Sequence, residues 1–435
     1  MIYAVQQIAE ILHADALIRV EQSIQHLITD SRSVMPSGTS LFFAIKGENH
    51  NGHDYLEAVY EKGCRSFVLS ERFSLFEDKS DVNILYVDCV ILALQKLAAY
   101  HRSMMHTSVL SVTGSNGKTV VKEWLWQLLA PDINISRSPR SYNSQVGVPL
   151  SLWLIDPEDQ LAIIEAGISK PGEMELLEKM IFPDTGIFTN IGEAHQENFN
   201  TLEEKINEKI KLFKNTHAIV FCYDHEKVRR AIKNKCPESE LFSWSLSAPE
   251  ADLFFKKTGS EPGKTNLELE NNGNIFEFVI PFEDQASVEN ALHVIAYAIF
   301  RGIEPEIIRK RIQALQPVGM RMEMIKGAQG CTLINDAYNS DLYAINIAVD
   351  FLNAQPQNNK KTVILSDVLQ SGKPSEEIYQ QIAQLLCNSH IDRFIGVGPE
   401  MVRYANFFDI PDKFVYPSTD ALIDHLGQIR FHDEL

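Results

Sequence analysis

Thr113-Gly114-Ser115-Asn116-Gly117-Lys118-Thr119 decides how this chain is read. It follows the apolar run Val109-Leu110-Ser111-Val112 and opens the helix-like stretch Val120 to Leu129. That is the strand–loop–helix setting a phosphate-binding loop requires. Glycines let backbone N–H groups approach phosphate oxygens, and the helix N-terminus adds favourable partial charge. Lys118 can then neutralise β- and γ-phosphate charge, and the Thr119 hydroxyl can ligate Mg²⁺. The spacing is GxxGKT, two residues shorter than the common GxxxxGKS/T. The stretch predicts an ATP site built by Gly114, Ser115, Asn116, Gly117, Lys118 and Thr119.

Outward from the loop, the same strand–turn–helix rhythm continues. Leu161 to Glu165, Thr185 to Thr189 and His217 to Phe221 are apolar runs of strand length. Such alternation predicts a mostly parallel sheet with helices on both faces. Two alternating runs within Asn266 to Ile280 flank Asn272-Gly273, which predicts a β-hairpin appended to this central unit. Upstream, Val5 to Leu12 reads as an amphipathic helix, Leu41 to Ile45 and Ser66 to Leu69 as strands, and Tyr55 to Lys62 as a helix stopped at Gly63. Downstream of Pro317, the runs Thr332 to Asn335, Thr362 to Leu365 and Arg393 to Val397 restart the alternation. The expected architecture is α/β with three domains: residues 1–82, a central P-loop domain over 83–316, and a Rossmann-like doubly wound domain over 317–435. The third lacks GxGxxG, so no dinucleotide site is implied.

At 435 residues the chain is long enough for roughly three domains. With 45% apolar and 23% charged residues, its composition is that of a globular protein. A net charge of −18 disfavours nucleic acid and anionic membranes as partners. No apolar run approaches the ~20 residues of a membrane span. The N-terminus has no basic region or cleavage site of a secretory signal. Six cysteines lie far apart with no CxxC pair, which fits scattered thiols in a reducing cytoplasm. The expected location is therefore cytoplasmic.

The short loop resembles that of the Mur ligase superfamily, written TGTNGKT or close to it. Three further segments carry the resemblance across nearly the whole chain. Near the N-terminus, Asp30-Ser31-Arg32, Ala44-Ile45-Lys46-Gly47 and Asn51-Gly52-His53-Asp54-Tyr55 resemble the family's DSR…FxAxxG…DGHDF, with Asn51 where the family has aspartate. In the centre, Ile164-Glu165-Ala166-Gly167 and Thr189-Asn190-Ile191-Gly192-Glu193-Ala194-His195 resemble its two metal-side motifs. Further on, Asn335-Asp336-Ala337-Tyr338-Asn339-Ser340 resembles the DxYNANP of one branch, which adds D-alanyl-D-alanine to UDP-N-acetylmuramoyl-tripeptide. A sister branch carries an aspartate–histidine motif there and a DNPR signature, both absent from this sequence. The folate-adding relatives lack the DSR-type N-terminal domain.

The resemblance implies an ATP-dependent amide ligase of peptidoglycan precursor synthesis that works through an acyl phosphate. Carboxylate and triphosphate are both anions, so the chemistry needs concentrated positive charge. Lys118 supplies part of it, with Thr119 and Glu165 as ligands of a first Mg²⁺. A second Mg²⁺ is implied near His195. Lys209, four residues before Phe213, matches the family's KxxxF lysine, which is carbamylated; Lys211 is the rival register. For the nucleotide, the resemblance implies Asn290 beside adenine, with Ala286-Ser287 where the family has His-Asn, then Arg321 reaching in from the third domain and Asp336 at the ribose and phosphates. It implies Ser31, Lys46, Asn143 and Gln145 for the UDP-peptide, and Tyr338, Asn339 and the loop around Asp367 for the dipeptide. That loop departs from the family's GDMxELG. A monomer with small-molecule substrates is expected. The family continues beyond a segment like Phe431 to Leu435 with another strand, and some bacteria fuse this ligase to an alanine racemase, so the chain fits the ligase half of such a fusion. Two alternatives remain: a related ligase adding another amino acid, and a P-loop protein that binds nucleotide without turnover.

Overall fold

The strand that leads into the phosphate loop, Ser108–Thr113, lies deep within a nine-stranded sheet. In this computed structural model the described residues are all but 35–37, 48–49, 77, 193–197, 272–273, 321–322, 328–329, 338–340, 356–359, 369–373 and 432–435. The order across the sheet runs Ile135–Arg137, Leu161–Glu165, Ser108–Thr113, Thr185–Phe188, Ala218–Cys222, Glu240–Ser245, Leu253–Glu261, Lys264–Asn271 and Asn274–Ile280. Pairing is parallel as far as Leu253–Glu261 and antiparallel beyond it. All five residues of Leu161–Glu165 are buried, as expected of a strand covered on both faces. Leu110 and Val112 point into a core shared with the helices Lys118–Leu129 and Gln285–Phe300. Val109 points to the opposite core, with the helices Glu173–Ile181, Leu202–Ile210 and Glu226–Lys235.

From Ser108–Thr113 the chain crosses to the edge strand Ile135–Arg137, returns through Leu161–Glu165, and then passes to the other side at Thr185–Phe188. Strand order therefore reverses around the phosphate loop. The carboxyl ends of strands at such a switch point form the crevice where open α/β sheets bind ligands.

The expected hairpin forms, with Asn271 opposite Asn274; its Asn272-Gly273 tip lies outside the described residues. The sequence reading missed its third strand, Leu253–Glu261, which joins the hairpin to the parallel sheet. Its outer half carries exposed Lys256 and Lys257, and a register shift between Lys257 and Gly259 breaks the alternation.

The N-terminal lobe has a five-stranded sheet ordered Asp15–Leu17, Asn83–Tyr86, Ser66–Leu69, Ser40–Phe43 and His26–Ile28. Asn83–Tyr86 takes this sheet past the boundary expected at residue 82. The helix Val90–Ser103 is the seam: Val90, Leu94 and Leu97 join the N-terminal core, while Ala98 joins the central one. After Pro317, the parallel strands Thr362–Ser366, Arg393–Val397 and Asp412–Tyr416 carry helices on both faces. Thr332–Asn335 forms as expected, but it pairs antiparallel with Glu323–Lys326 in a separate ribbon.

Phe213 links this frame to the site. Its ring lies so close to Gly186 that a Cβ there would sit 2.3 Å from Phe213 Cε1, and the ring is wholly buried. It clamps the segment after the helix Leu202–Ile210, which carries Lys209, onto the central sheet. Phe213→Ala is expected to cost about 3–5 kcal/mol, read as a lower midpoint of thermal unfolding. An unchanged midpoint would contradict this packing.

Candidate nucleotide and cation site

The phosphate loop owes its path to two glycines. Gly114 has φ +146° and Gly117 φ +81°; a Cβ on them would fall 2.0 Å from Thr189 Oγ1 and 2.1 Å from Asn290 Oδ1. The segment after Thr185–Phe188 pins the loop from below. Ser115 N donates to Asn190 O at 2.9 Å, Asn116 N to Asn190 Oδ1 at 3.0 Å, and Thr189 Oγ1 to Asn116 O at 2.6 Å. Thr189 is anchored in turn by His293, whose Nδ1 accepts from Trp244 Nε1 and whose Nε2 therefore donates to Thr189 O, both at 3.0 Å. Burial holds the His293 pKa down at about 3, so the ring stays neutral in that tautomer.

Two lysines converge on the loop. Lys118 Nζ donates to Gly114 O at 3.0 Å and Ser115 O at 2.8 Å, folded back over its own loop. Lys209 Nζ donates to the same Gly114 O at 3.0 Å. Burial pushes the Lys209 ammonium well below the ordinary lysine range, and the charges of Lys118 and Lys205 add to the effect. Of the two register candidates, only Lys209 reaches the loop in this way. Lys211 pairs at 2.6 Å with Glu208, whose other oxygen accepts from Gly172 N and Met174 N.

Beside the lysines sits a pair of oxygen donors. Thr119 Oγ1 is 3.2 and 3.0 Å from the two oxygens of Glu165 and 2.9 Å from Ser141 Oγ. Asn143 Nδ2 donates to Glu165 Oε1 at 2.7 Å, and Glu165 is 1% exposed. A hydroxyl and a buried carboxylate at the mouth of a phosphate loop are the hard oxygen donors that Mg²⁺ prefers, with phosphate and water completing its shell. The residues present therefore fit one such ion.

These groups open into a cavity of about 1120 Å³. The loop 114–119, Asn143, Gln145, Glu165 and Lys209 form one side; Asn290, Ala286 and Ser287 form another. Asp336, Ile347 and Phe351 reach it from beyond Pro317. Trp124 and Phe282, stacked with centroids 4.7 Å apart, and the turn at residues 260–263 complete the wall. Sequence reasoning passed over these, since nothing local marks them as pocket residues.

Other expected site residues lie off this cavity. The Ser31 carbonyl accepts from Lys62 Nζ at 2.8 Å, and Lys46 is paired with Glu71 at 2.8 Å on the surface. Asn51, where the family has aspartate, accepts at Oδ1 from His53 N at 3.1 Å and lies 2.9 Å from His53 Nδ1. Asp367 accepts from Glu400 N, Met401 N and the Tyr379 hydroxyl at 3.2, 2.8 and 3.2 Å. His195, Arg321, Tyr338 and Asn339 lie outside the described residues.

A phosphate loop at the switch point, with a buried threonine–glutamate pair and a lysine from a following helix, defines a nucleotide-using enzyme class, and the comparisons give the class its name. Residues 112–298 match the profile of the Mur ligase middle domain. The chain is 28% identical over 399 residues to the UDP-N-acetylmuramoyl-tripeptide–D-alanyl-D-alanine ligase of Bacillus subtilis, spanning 91% of this chain and 85% of the relative. The Escherichia coli enzyme of the same name is 25% identical over 97% of this chain and 91% of its own. Among solved structures, MurF from Acinetobacter baumannii has the same fold at TM-score 0.81 and 23% identity, over 98% of this chain and 92% of that one. MurF from Thermotoga maritima, solved in complex with ADP, matches at TM-score 0.75 and 21% identity, over 94% of this chain and 92% of that one.

The depressed Lys209 fixes a sign. The unfolded chain binds a proton there that the folded chain refuses, so stability rises with pH between the depressed value and the ordinary lysine range. In bicarbonate-free buffer, Lys209→Met is expected to be most stabilising relative to the parent at the low end of this window, with the gap narrowing as pH rises. Parallel thermal midpoints for the two proteins as pH rises toward the ordinary lysine range would contradict the depressed Lys209 ammonium.

Proposed function

We propose that this chain is an ATP-dependent, ADP-forming amide ligase that joins D-alanyl-D-alanine to UDP-N-acetylmuramoyl-tripeptide in peptidoglycan precursor synthesis. The observation that carries the reading is the meeting of Lys118, Thr119, Glu165 and Lys209 on a single cavity bordered by the central sheet and by Asp336 from the third lobe.

The chemistry follows from the charges. A free carboxylate does not acylate an amine; transfer of the γ-phosphoryl group of ATP gives an acyl phosphate that does. Lys118 leaves the Gly114 and Ser115 carbonyls for the triphosphate, and the amides of the loop hold the phosphate oxygens. Thr119 and Glu165 would hold a Mg²⁺, which would supply positive charge against the triphosphate. His195 would serve a second Mg²⁺. A neutral amine is the form of Lys209 that condenses with CO₂, so its burial suits carbamylation and supplies an anion beside Lys118. Asn290 faces the adenine, and Asp336 and Arg321 reach the ribose and phosphates from the third lobe.

Asn143 and Gln145 guide the tripeptide carboxylate, while Ser31 and Lys46 take the distant uridine end. Tyr338, Asn339 and the Asp367 loop present the dipeptide, whose amine attacks the acyl phosphate; phosphate then leaves the tetrahedral intermediate. Because groups from two lobes serve one nucleotide, closure precedes chemistry and keeps water from the acyl phosphate. The enzyme acts as a cytoplasmic monomer in this reading. No helix among the described residues is long and apolar enough to cross a membrane.

Phosphate release is expected only with ATP, UDP-muramoyl-tripeptide and D-alanyl-D-alanine all present. Lys118→Ala should lower kcat on the order of 10²- to 10³-fold. Release that ignores omission of the dipeptide would defeat the assignment of the amine substrate; release that ignores the UDP-peptide would defeat the ligase reading.

A further inference from the structure

Lys122 lies one helical turn beyond Lys118 and is wholly buried. Its ammonium donates to Ser138 O at 2.7 Å and to Arg140 O, and stands 3.2 Å from Glu123 Oε1 and 3.8 Å from Glu165 Oε2. Glu123 is paired at 2.9 Å with Arg137, which lies over the Trp126 ring. Charge thus alternates from the surface to the cavity: Arg137, Glu123, Lys122, Glu165.

The segment that Lys122 grips also holds the cation pair. Ser138 Oγ accepts from Glu165 N at 3.0 Å, and Ser141 Oγ meets Thr119 Oγ1 at 2.9 Å. Between them Arg140 sits in the left-handed region at φ +48°, with Lys122 bonded to its carbonyl. Burying an ammonium costs several kcal/mol unless its charge and protons are matched. A methionine would fill much of the same volume without that cost, so the charge itself has a use.

We infer that Lys122 is a positioning residue for the cation site: it fixes the Glu165 carboxylate and the turn at residues 138–141 so that Glu165 and Thr119 present their oxygens together. The inference rests on the magnesium–ATP reading above and adds a residue that touches neither nucleotide nor ion. Its relation to Glu165 is that of an outer-shell partner to a metal ligand.

The test is calorimetric titration of the full chain with ADP, with and without Mn²⁺. Lys122→Met is combined with Glu123→Gln so that net charge is unchanged, and Ser138→Ala is measured alone. The double variant is expected to weaken Mn²⁺-dependent ADP binding about tenfold while metal-free ADP affinity stays within about twofold, with Ser138→Ala moving the same way by a smaller factor. Mn²⁺ dependence equal to the parent's in the double variant would overturn the inference. If that variant does not fold, an unchanged Ser138→Ala would overturn it instead. A parent protein whose ADP binding ignores Mn²⁺ would overturn the magnesium reading beneath it.

Discussion

Two anions must be brought into contact, and the structure is arranged around that repulsion. The phosphate loop, the head of the helix Lys118–Leu129 and the Lys118 ammonium gather positive potential at one point of the central sheet. The overall charge of −18 works against an anionic ligand, so attraction has to be local. Burial raises the strength of each of these charges and also their cost. The fold meets the cost by giving the ammonium groups backbone carbonyls as partners: Gly114 and Ser115 for Lys118, Ser138 for Lys122.

The topology explains why these groups meet. Gly114 and Thr119 follow one strand, Glu165 ends the strand on one side, and Thr189 and Asn190 follow the strand on the other. The loop is stitched to both neighbours, through Thr119 to Glu165 and through Asn116 to Thr189 and Asn190. Lys209 comes from a helix further along, held down by the Phe213–Gly186 contact. The site is thus a property of strand order, and its parts are distant in sequence.

What was legible in the chain follows the same physics. Strands buried on both faces, such as Leu161–Glu165, Ser66–Leu69 and Arg393–Val397, read as mostly apolar runs of strand length. The half-exposed, bulged strand Leu253–Glu261 has no such signature and was missed. Thr332–Asn335 was legible as a strand, but its antiparallel partner depends on a neighbour that local pattern does not encode. In the site, the glycines and Lys118-Thr119 carry their meaning in their order. Lys122 does not, because a lysine four residues after another reads as a solvated helix face; only the folding of residues 138–140 over it makes it interior. Lys209 and Lys211 could be separated only by seeing which one Glu208 claims.

The most direct measurement is a crystal structure with a non-hydrolysable ATP analogue and Mn²⁺, with the metal located by its anomalous signal. The account predicts the ion bound to Thr119 Oγ1 and a Glu165 oxygen at about 2.0–2.4 Å, with Lys118 Nζ moved from the Gly114 and Ser115 carbonyls onto phosphate oxygens. A nucleotide bound while Lys118 still caps its own loop, with the metal away from Glu165, would contradict it.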